Sequence, residues 1–361
     1  MNIIVITKSK IKDIPPLISV AHILTDLGHA VEVLTSEVNP QTAESFKQKN
    51  IKYTEYPFAS ATNPLHKAYE YRMFRKNVKQ HLAKTSFDLL WIEGAHTIRS
   101  LGDFIKKYKY CLQISELHNE HPAQMKSISK VISTAKLVFM PEYNRTILYR
   151  IWFNLKHRPI VLPNKPYFYP KKEDIERIET KYTEMLSIFK SKKVILYQGQ
   201  IAATRDLSNY IKAVKELGED YCTVLLGNDH NMVKKYKEID ENLVHINFIP
   251  APDYLLFTSM AHIGILTYNP SSLNNMYCAP NKIYEYSKYS LPMLGNDIPG
   301  LKYAIEPYNA GVIIDEESVE SIKNGILEID NNYKNYKLNS SRIFTEQDNK
   351  KIIQEALDSM I

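Results

Sequence analysis

The sequence predicts an α/β fold built from two successive βαβ domains. Three observations carry this. The chain has 361 residues, room for two domains of ordinary size, each with its own core. Short apolar runs such as 2–7 (NIIVIT) lack the polar alternation of half-exposed strands and suit parallel strands covered on both faces. These runs alternate with helical stretches, and the alternation starts afresh at Val194, beyond a stretch holding Pro166, Phe168 and Pro170.

In order, residues 2–7 form the first strand. A polar loop with Pro15-Pro16 follows, then a helix over 17–27 stopped by Gly28, then a strand over 30–35 (AVEVLT). The first loop has no Gly-x-Gly, so no dinucleotide fingerprint is read there. Residues 51–56 form a short strand. The helix over 66–83 sets Tyr71, Phe74, Val78 and Leu82 on one stripe, with Arg72, Arg75, Lys76 and Lys79 beside it. Strands over 88–93, 110–115 and 137–140 follow. Residues 143–157 place Tyr149, Trp152 and Phe153 among Arg145, Arg150 and Lys156. A strand at 160–162 runs into Pro163-Asn164 and closes a first domain at 165. Residues 166–193 form a linker with a charged helix over 173–189. In the second domain, 194–345, strands over 194–198, 222–226, 244–249 and 263–267 alternate with helices over 206–217, 231–239 and 252–260. A helix near Pro280, a strand at 293–295, segments 298–304 and 311–314 and a helix over 319–329 complete it. A last amphipathic helix occupies the terminal segment, 346–361.

Apolar content of 44% and charged content of 24% are those of a soluble globular protein. No apolar run reaches the length of about 18 residues that a bilayer demands, and the N-terminus lacks the layout of a signal peptide. Cys111, Cys222 and Cys278 are too few and too scattered for a disulfide framework or a metal knuckle, which points to the cytoplasm. Residues 1–165 carry 24 Lys and Arg against 13 Asp and Glu, or +11; the remainder carries 22 against 27, or −5. A basic first domain suits an anionic membrane surface or a phosphorylated acceptor. No nucleic-acid recognition motif accompanies the charge.

The densest chemistry lies in 277–300, YCAPNKIYEYSKYSLPMLGNDIPG. Pro280 suits a first helical turn. Lys282 and Glu285, three apart, share a face. A helix N-terminus with a lysine attracts phosphate, and a carboxylate one turn on can accept from a ribose diol. Phosphate beside a diol describes a nucleotide. The spacing by itself fits a plain amphipathic helix as well, with Ile283, Tyr284 and Tyr286 in the core.

PNKIYEYSKYSLPMLGND resembles the P-N-K-x-x-E-Y-x-x-x-G-x-P signature of retaining, family 4 (group 1) glycosyltransferases with the GT-B fold. The resemblance implies two Rossmann-like domains facing a central cleft, with a C-terminal helix crossing back to the first. It implies a UDP- or GDP-linked sugar donor held by Pro280, Asn281, Lys282, Ile283 and Glu285, with Glu285 on the ribose. VILYQGQIAATR (194–205) is similar to the family's opening strand and loop. There Gly199 lets backbone approach the ligand, and Arg205 meets the diphosphate with its planar fork. Asn228 would touch base or ribose, a plain turn being the alternative. HINFIP (245–250) resembles the strand that reads the base, and VLPN (161–164) the strand before the interdomain linker. Three positions depart from the pattern: Tyr277 stands where a donor-sugar Glu is frequent, Gln200 where Arg is, and Ser290 where Gly is.

In the first domain, 115–122 (SELHNEHP) follows a strand, at the carboxyl end where α/β ligand sites lie. The resemblance makes His118 the residue facing the reacting sugar, with Glu116 and Glu120 as acceptor-side candidates; a helix cap or a solvated loop is the alternative. His118, Arg205 and Lys282 are thus the catalytic candidates. No carboxylate pair suggests a double displacement. No Asp-x-Asp dyad is present, so neither metal nor cofactor is expected. One-face transfer is expected instead, the leaving diphosphate taking the acceptor proton. The implied activity is metal-independent hexosyl or related glycosyl transfer to a glycan or polyprenyl-diphosphate-linked acceptor in envelope polysaccharide synthesis. The implied place is cytoplasmic, peripheral on the inner face of the membrane. The alternatives are a catalytically degenerate subunit that binds nucleotide or stabilises a partner, and a sugar-nucleotide epimerase.

Overall fold

The computed structural model describes residues 1–58 and 63–360. The chain forms two compact units, one of Met1–Tyr167 with the segment from Asp348 onward, the other Phe168–Gln347.

The first unit is built on seven strands: β1 (Asn2–Ile6), β2 (Ala30–Thr35), β3 (Lys52–Glu55), β4 (Leu89–Glu93), β5 (Tyr110–Gln113), β6 (Leu137–Met140) and β7 (Ile160–Val161). They pair in the order β3-β2-β1-β4-β5-β6-β7, all parallel. Val5 lies opposite Val33 on one side and Trp91 on the other, all three fully buried. Trp91 stacks on Phe139 with centroids 4.6 Å apart, and its Nε1 donates to Gln113 Oε1 at 2.8 Å. The strand order reverses between β1 and β4, which opens a crevice at their carboxyl ends.

The last helix, Asn349–Asp358, belongs to this unit. Ile353, Ala356 and Leu357 join the core cluster of Val5 and Val33. Asp348 caps the helix by accepting from Lys350 and Lys351 N–H, a contact worth about 1 kcal/mol. Asn349 Nδ2 donates to Pro163 O at 2.8 Å. The helix over 143–157 runs only over Tyr143–Trp152, since Asn154 turns left-handed at φ +47°. Arg145 is not part of a basic face: it is 3% exposed and bonded to the Ser115 carbonyl. Arg75 Nε likewise donates inward, to Ser100 O at 2.6 Å. Arg72, Lys76 and Lys79 are exposed.

The second unit holds β8 (Lys193–Gln198), β9 (Tyr221–Leu226), β10 (Val244–Ile246), β11 (Ile263–Leu266), β12 (Met293–Asn296) and β13 (Gly311–Ile314). Their order is β10-β9-β8-β11-β12-β13, again all parallel, with the reversal between β8 and β11. The charged helix expected over 173–189 is two helices, Lys172–Lys181 and Thr183–Ser191. The break falls at Tyr182, whose ring packs edge-on to Phe257 at 5.6 Å. It lets Ile178, Leu186 and Phe189 all reach one core. A helix over Tyr333–Glu346 has no counterpart in the sequence reading, because it buries only Ser340 and Ile343 and its pattern is mostly polar. Gln347 and Asp348 are extended, so the single helix expected from 346 is the end of this one and the whole of the next. Among the described residues no helix is long and apolar enough to cross a membrane.

Candidate functional site

The crevice of the second unit begins with two glycines. Gly199 follows β8 at φ +134°, and Gly227 follows β9 at φ +149°. A Cβ on Gly227 would stand 1.8 Å from Gly199 O, so the two loops rest backbone on backbone. Gly199 N–H bonds to Leu226 O at 2.9 Å, and Gly227 N–H to Ile246 O at 2.9 Å. The His245 Nε2 donates to Gly227 O at 2.9 Å. A Cβ on Gly199 would lie 3.0 Å from Lys282 Nζ, so glycine there leaves room for the ammonium.

Two cations converge beside this glycine. Lys282 Nζ lies 4.8 Å from the centre of the Tyr197 ring and 5.8 Å from that of Tyr268. Arg205 Cζ lies 4.7 Å over the same Tyr268 ring. The ring faces hold both charges in place. Tyr268 is itself clamped by Asn296, which accepts from its N–H at 3.1 Å and donates to its carbonyl at 3.0 Å. Burial, then the Arg205 charge, lower the Lys282 pKa to about 7, against the pull of Glu285. The arrangement suits a polyanion.

Glu285 sits one turn along the helix Lys282–Lys288 and is 6% exposed. Its Oε2 accepts from Gln198 Nε2 at 2.5 Å and its Oε1 from Tyr254 OH at 2.6 Å. Thr258 Oγ1 donates to Gln198 Oε1 at 2.7 Å and fixes that amide. Burial pushes the Glu285 pKa up, while Tyr254, Lys282 and Gln198 pull it down. Each carboxylate oxygen keeps acceptor capacity for a further hydroxyl. The N–H groups of Ile283, Tyr284 and Glu285 bond to the carbonyls of Pro280 and Asn281, at 3.3, 2.9 and 3.0 Å. The helix start thus has fewer open donors than its motif suggests, and the side chains supply the charge. Ile283 is core, 4% exposed, while Pro280 and Asn281 are half-buried. Asn228 is exposed, its carbonyl taken by Ile201 N–H at 3.0 Å.

The fold therefore brings Gly199 and Arg205 together with Lys282 and Glu285, two local pairs that lie far apart in sequence. It adds Tyr197, Gln198, Tyr254, Thr258, Tyr268 and Asn296, none of which the sequence reading singled out. Tyr197, Gln198 and Asn296 end apolar strand runs, a signal that could have marked them.

In the first unit the loop bearing His118 is pinned from below. Tyr149 OH donates to the carbonyls of Glu116 and Leu117 at 3.2 and 3.0 Å. His118 is half-buried at φ +58°. Burial, then the charges of His96 and His121, lower its pKa to about 4, so it is a neutral imidazole at physiological pH. Glu116 is exposed and lies 3.5 Å from Arg145; Glu120 is also exposed. Glu93, which the sequence reading passed over, ends β4 at 6% exposure and accepts from Thr7 Oγ1 at 2.8 Å. Burial raises its pKa to about 7.

Residues 179–347 match the family model for glycosyl transferases group 1. This span is similar to group 1 glycosyl transferase domains. The domain contains β8 to β13 and the whole Gly199, Arg205, Lys282 and Glu285 cluster. Across the full chain the architecture is GT-B, as in solved structures of glycosyltransferases. Anabaena HepE in complex with UDP and glucose is 13% identical, with a TM-score of 0.72 over 100% of this chain and 99% of that one. A glycosyltransferase from Rickettsia africae is 13% identical, with a TM-score of 0.72 over 99% and 97%. The lipopolysaccharide outer core galactosyltransferase WaaB, in its apo form, is 13% identical, with a TM-score of 0.68 over 100% of both chains. No curated protein sequence matches the chain.

Proposed function

We propose that the protein is a retaining glycosyltransferase that moves a hexosyl or related sugar from a nucleotide-sugar donor to a glycan or lipid-linked acceptor. One observation carries the reading. The group 1 domain sets two converging cations, Arg205 and Lys282, beside a buried, prealigned carboxylate, Glu285, at the switch point of its sheet. Cations suit a diphosphate, and the carboxylate suits a ribose diol. The complex of HepE with UDP and glucose favours a UDP-linked donor, GDP being the other candidate.

In the proposed step the anomeric carbon–phosphate oxygen bond breaks as the acceptor oxygen bonds to the same face. The acceptor proton passes to the leaving phosphate oxygen. Arg205 and Lys282 stabilise the charge that grows on the diphosphate. Gly199 and the Asn281-Lys282 backbone give it space, and Asn228 lies at the edge for base or ribose. His118 positions the reacting sugar as a neutral imidazole, with Glu116 and Glu120 toward the acceptor. No metal or cofactor is required by this scheme. A polyprenyl-diphosphate-linked acceptor and envelope polysaccharide synthesis fit the basic first unit. The exposed Arg72, Lys76 and Lys79 would meet an anionic membrane surface on its cytoplasmic side.

A thermal-shift panel of nucleotide sugars tests the reading, since only ligands of the native site raise the melting temperature. One donor is expected to shift wild type and to lose its effect in an R205A/K282A variant. That donor and a glycan acceptor should then give product with the donor's anomeric configuration. An inverted product refutes retention. Binding without transfer or hydrolysis assigns the degenerate-subunit reading, for which Tyr277 and Gln200 are the motivation. An epimerised donor assigns the epimerase.

A further inference from the structure

We propose that the first unit carries a separate anion subsite, formed by Lys67, His96, Arg99 and His121, that binds a phosphate or diphosphate ester on the acceptor. The inference rests on the transferase reading for the word acceptor, but the subsite itself does not. A cavity of about 400 Å³ lies against these four residues and against Gln124 and Glu120. That volume is within the range of small-molecule sites and exceeds what one diphosphate needs.

The walls are prealigned. Arg99 Cζ lies over the Tyr71 ring at 5.3 Å, which holds the guanidinium in place. Tyr71 OH meets His96 Nδ1 at 2.6 Å, and Gln124 Nε2 meets His96 Nε2 at 3.3 Å. Both ring nitrogens of His96 are thereby engaged. Gln124 is 8% exposed, and its Oε1 has no hydrogen-bond partner among the described residues. Lys67, Arg99 and His121 are exposed and reach the opening, as does one carboxylate, Glu120. Two permanent cations and two imidazoles against one carboxylate favour a multiply charged tetrahedral group over a neutral sugar.

The charges lining the cavity act on His96. Burial first, then the charges of Lys67, Lys8, Arg99 and His121, hold its pKa below the usual imidazole range. Lys8 is paired with Glu70 at 3.2 Å, so the uncompensated charge comes from the cavity residues. An anion placed among them relieves this repulsion.

The full chain carrying R205A and K282A removes the proposed donor cations and leaves this cavity intact. Inorganic pyrophosphate titrated into it by calorimetry is expected to bind saturably. Adding K67A and R99A, both at exposed positions, is expected to weaken that binding by about tenfold or more. The imidazole NMR signals missing from H96Q and H121Q variants should move with the same titration. Pyrophosphate affinity unchanged by K67A/R99A, or unmoved histidine signals, overturns the subsite. With the donor residues intact, K67A/R99A should leave UDP and GDP affinity unaltered. An equal loss there would also overturn it, by making the cavity part of the nucleotide site. Failure of R205A/K282A to weaken nucleotide binding would count against the donor assignment alone. Farnesyl diphosphate binding more tightly than pyrophosphate supports the subsite with a lipid-linked source; glucose 1-phosphate doing so supports it with a soluble sugar phosphate.

Discussion

Lys282 makes the donor site a proton-linked one. Burial and the neighbouring Arg205 hold its pKa near 7 in the free protein, against 10.5 for an ordinary lysine. Lys282 is therefore charged below about pH 7 and neutral above it. A bound diphosphate favours the charged form, so its pKa rises in the complex. Above pH 7, binding must then take up a proton, and affinity falls as pH rises. The terminal phosphate of a nucleoside diphosphate, with its second pKa near about 6, is already fully charged there and adds no slope. Each pKa unit is about 1.36 kcal/mol, so the dissociation constant should rise up to about tenfold per pH unit, and up to about 50-fold from pH 7 to 9, since the lysine is already half neutral at pH 7. In K282R the guanidinium stays charged throughout, and the slope should vanish. Calorimetry of UDP and GDP at pH 7, 8 and 9, in buffers of different ionisation enthalpy, reads both affinity and proton uptake. Wild type should approach one proton taken up at the higher pH, and K282R none. A flat wild-type profile, or the same slope in K282R, refutes the linkage.

Glu285→Gln should weaken the donor by about 1.5–3 kcal/mol, with 2′- and 3′-deoxy donors losing less in the variant than in wild type; fully additive losses would take Glu285 off the ribose. Gly227→Ala must force its new Cβ away from the Gly199 carbonyl, 1.8 Å distant. Overpacking of this kind costs about 1–3 kcal/mol, so the melting temperature should drop and the donor-induced shift should shrink; an unaltered protein would contradict the contact between the two loops. His118→Ala should lower turnover well beyond donor affinity, and turnover within about threefold of wild type would remove His118 from the reacting sugar. Vesicle co-sedimentation should depend on anionic lipid, fall with salt and weaken in R72A/K76A/K79A; indifference to lipid charge would leave the basic first unit without a membrane role.

The linear sequence was enough for the architecture, because parallel strands buried on both faces are written as local apolar runs. The runs at 30–35, 137–140 and 311–314 coincide with β2, β6 and β13. Local pattern could not find the helix Tyr333–Glu346, whose face toward the core is little more than Ser340 and Ile343. Nor could it split the helix at Tyr182, since that break exists to serve packing against Phe257. The same division runs through the site. Lys282 and Glu285 share a face by spacing, and sequence resemblance added Gly199 and Arg205.

Only the tertiary structure showed that Arg145 and Arg75 are structural cations turned inward rather than parts of a basic surface. Only it showed that Tyr197 and Tyr268 cradle both donor-site cations, and that Gln198, Tyr254 and Thr258 align Glu285. Gln198 and Tyr254 lie 87 and 31 positions from Glu285 along the chain, and Thr258 lies 60 from Gln198. Lys282, which the sequence marks as a phosphate-site cation, has its pKa brought down to about 7 because burial and a second cation, both properties of the folded chain, set its proton affinity.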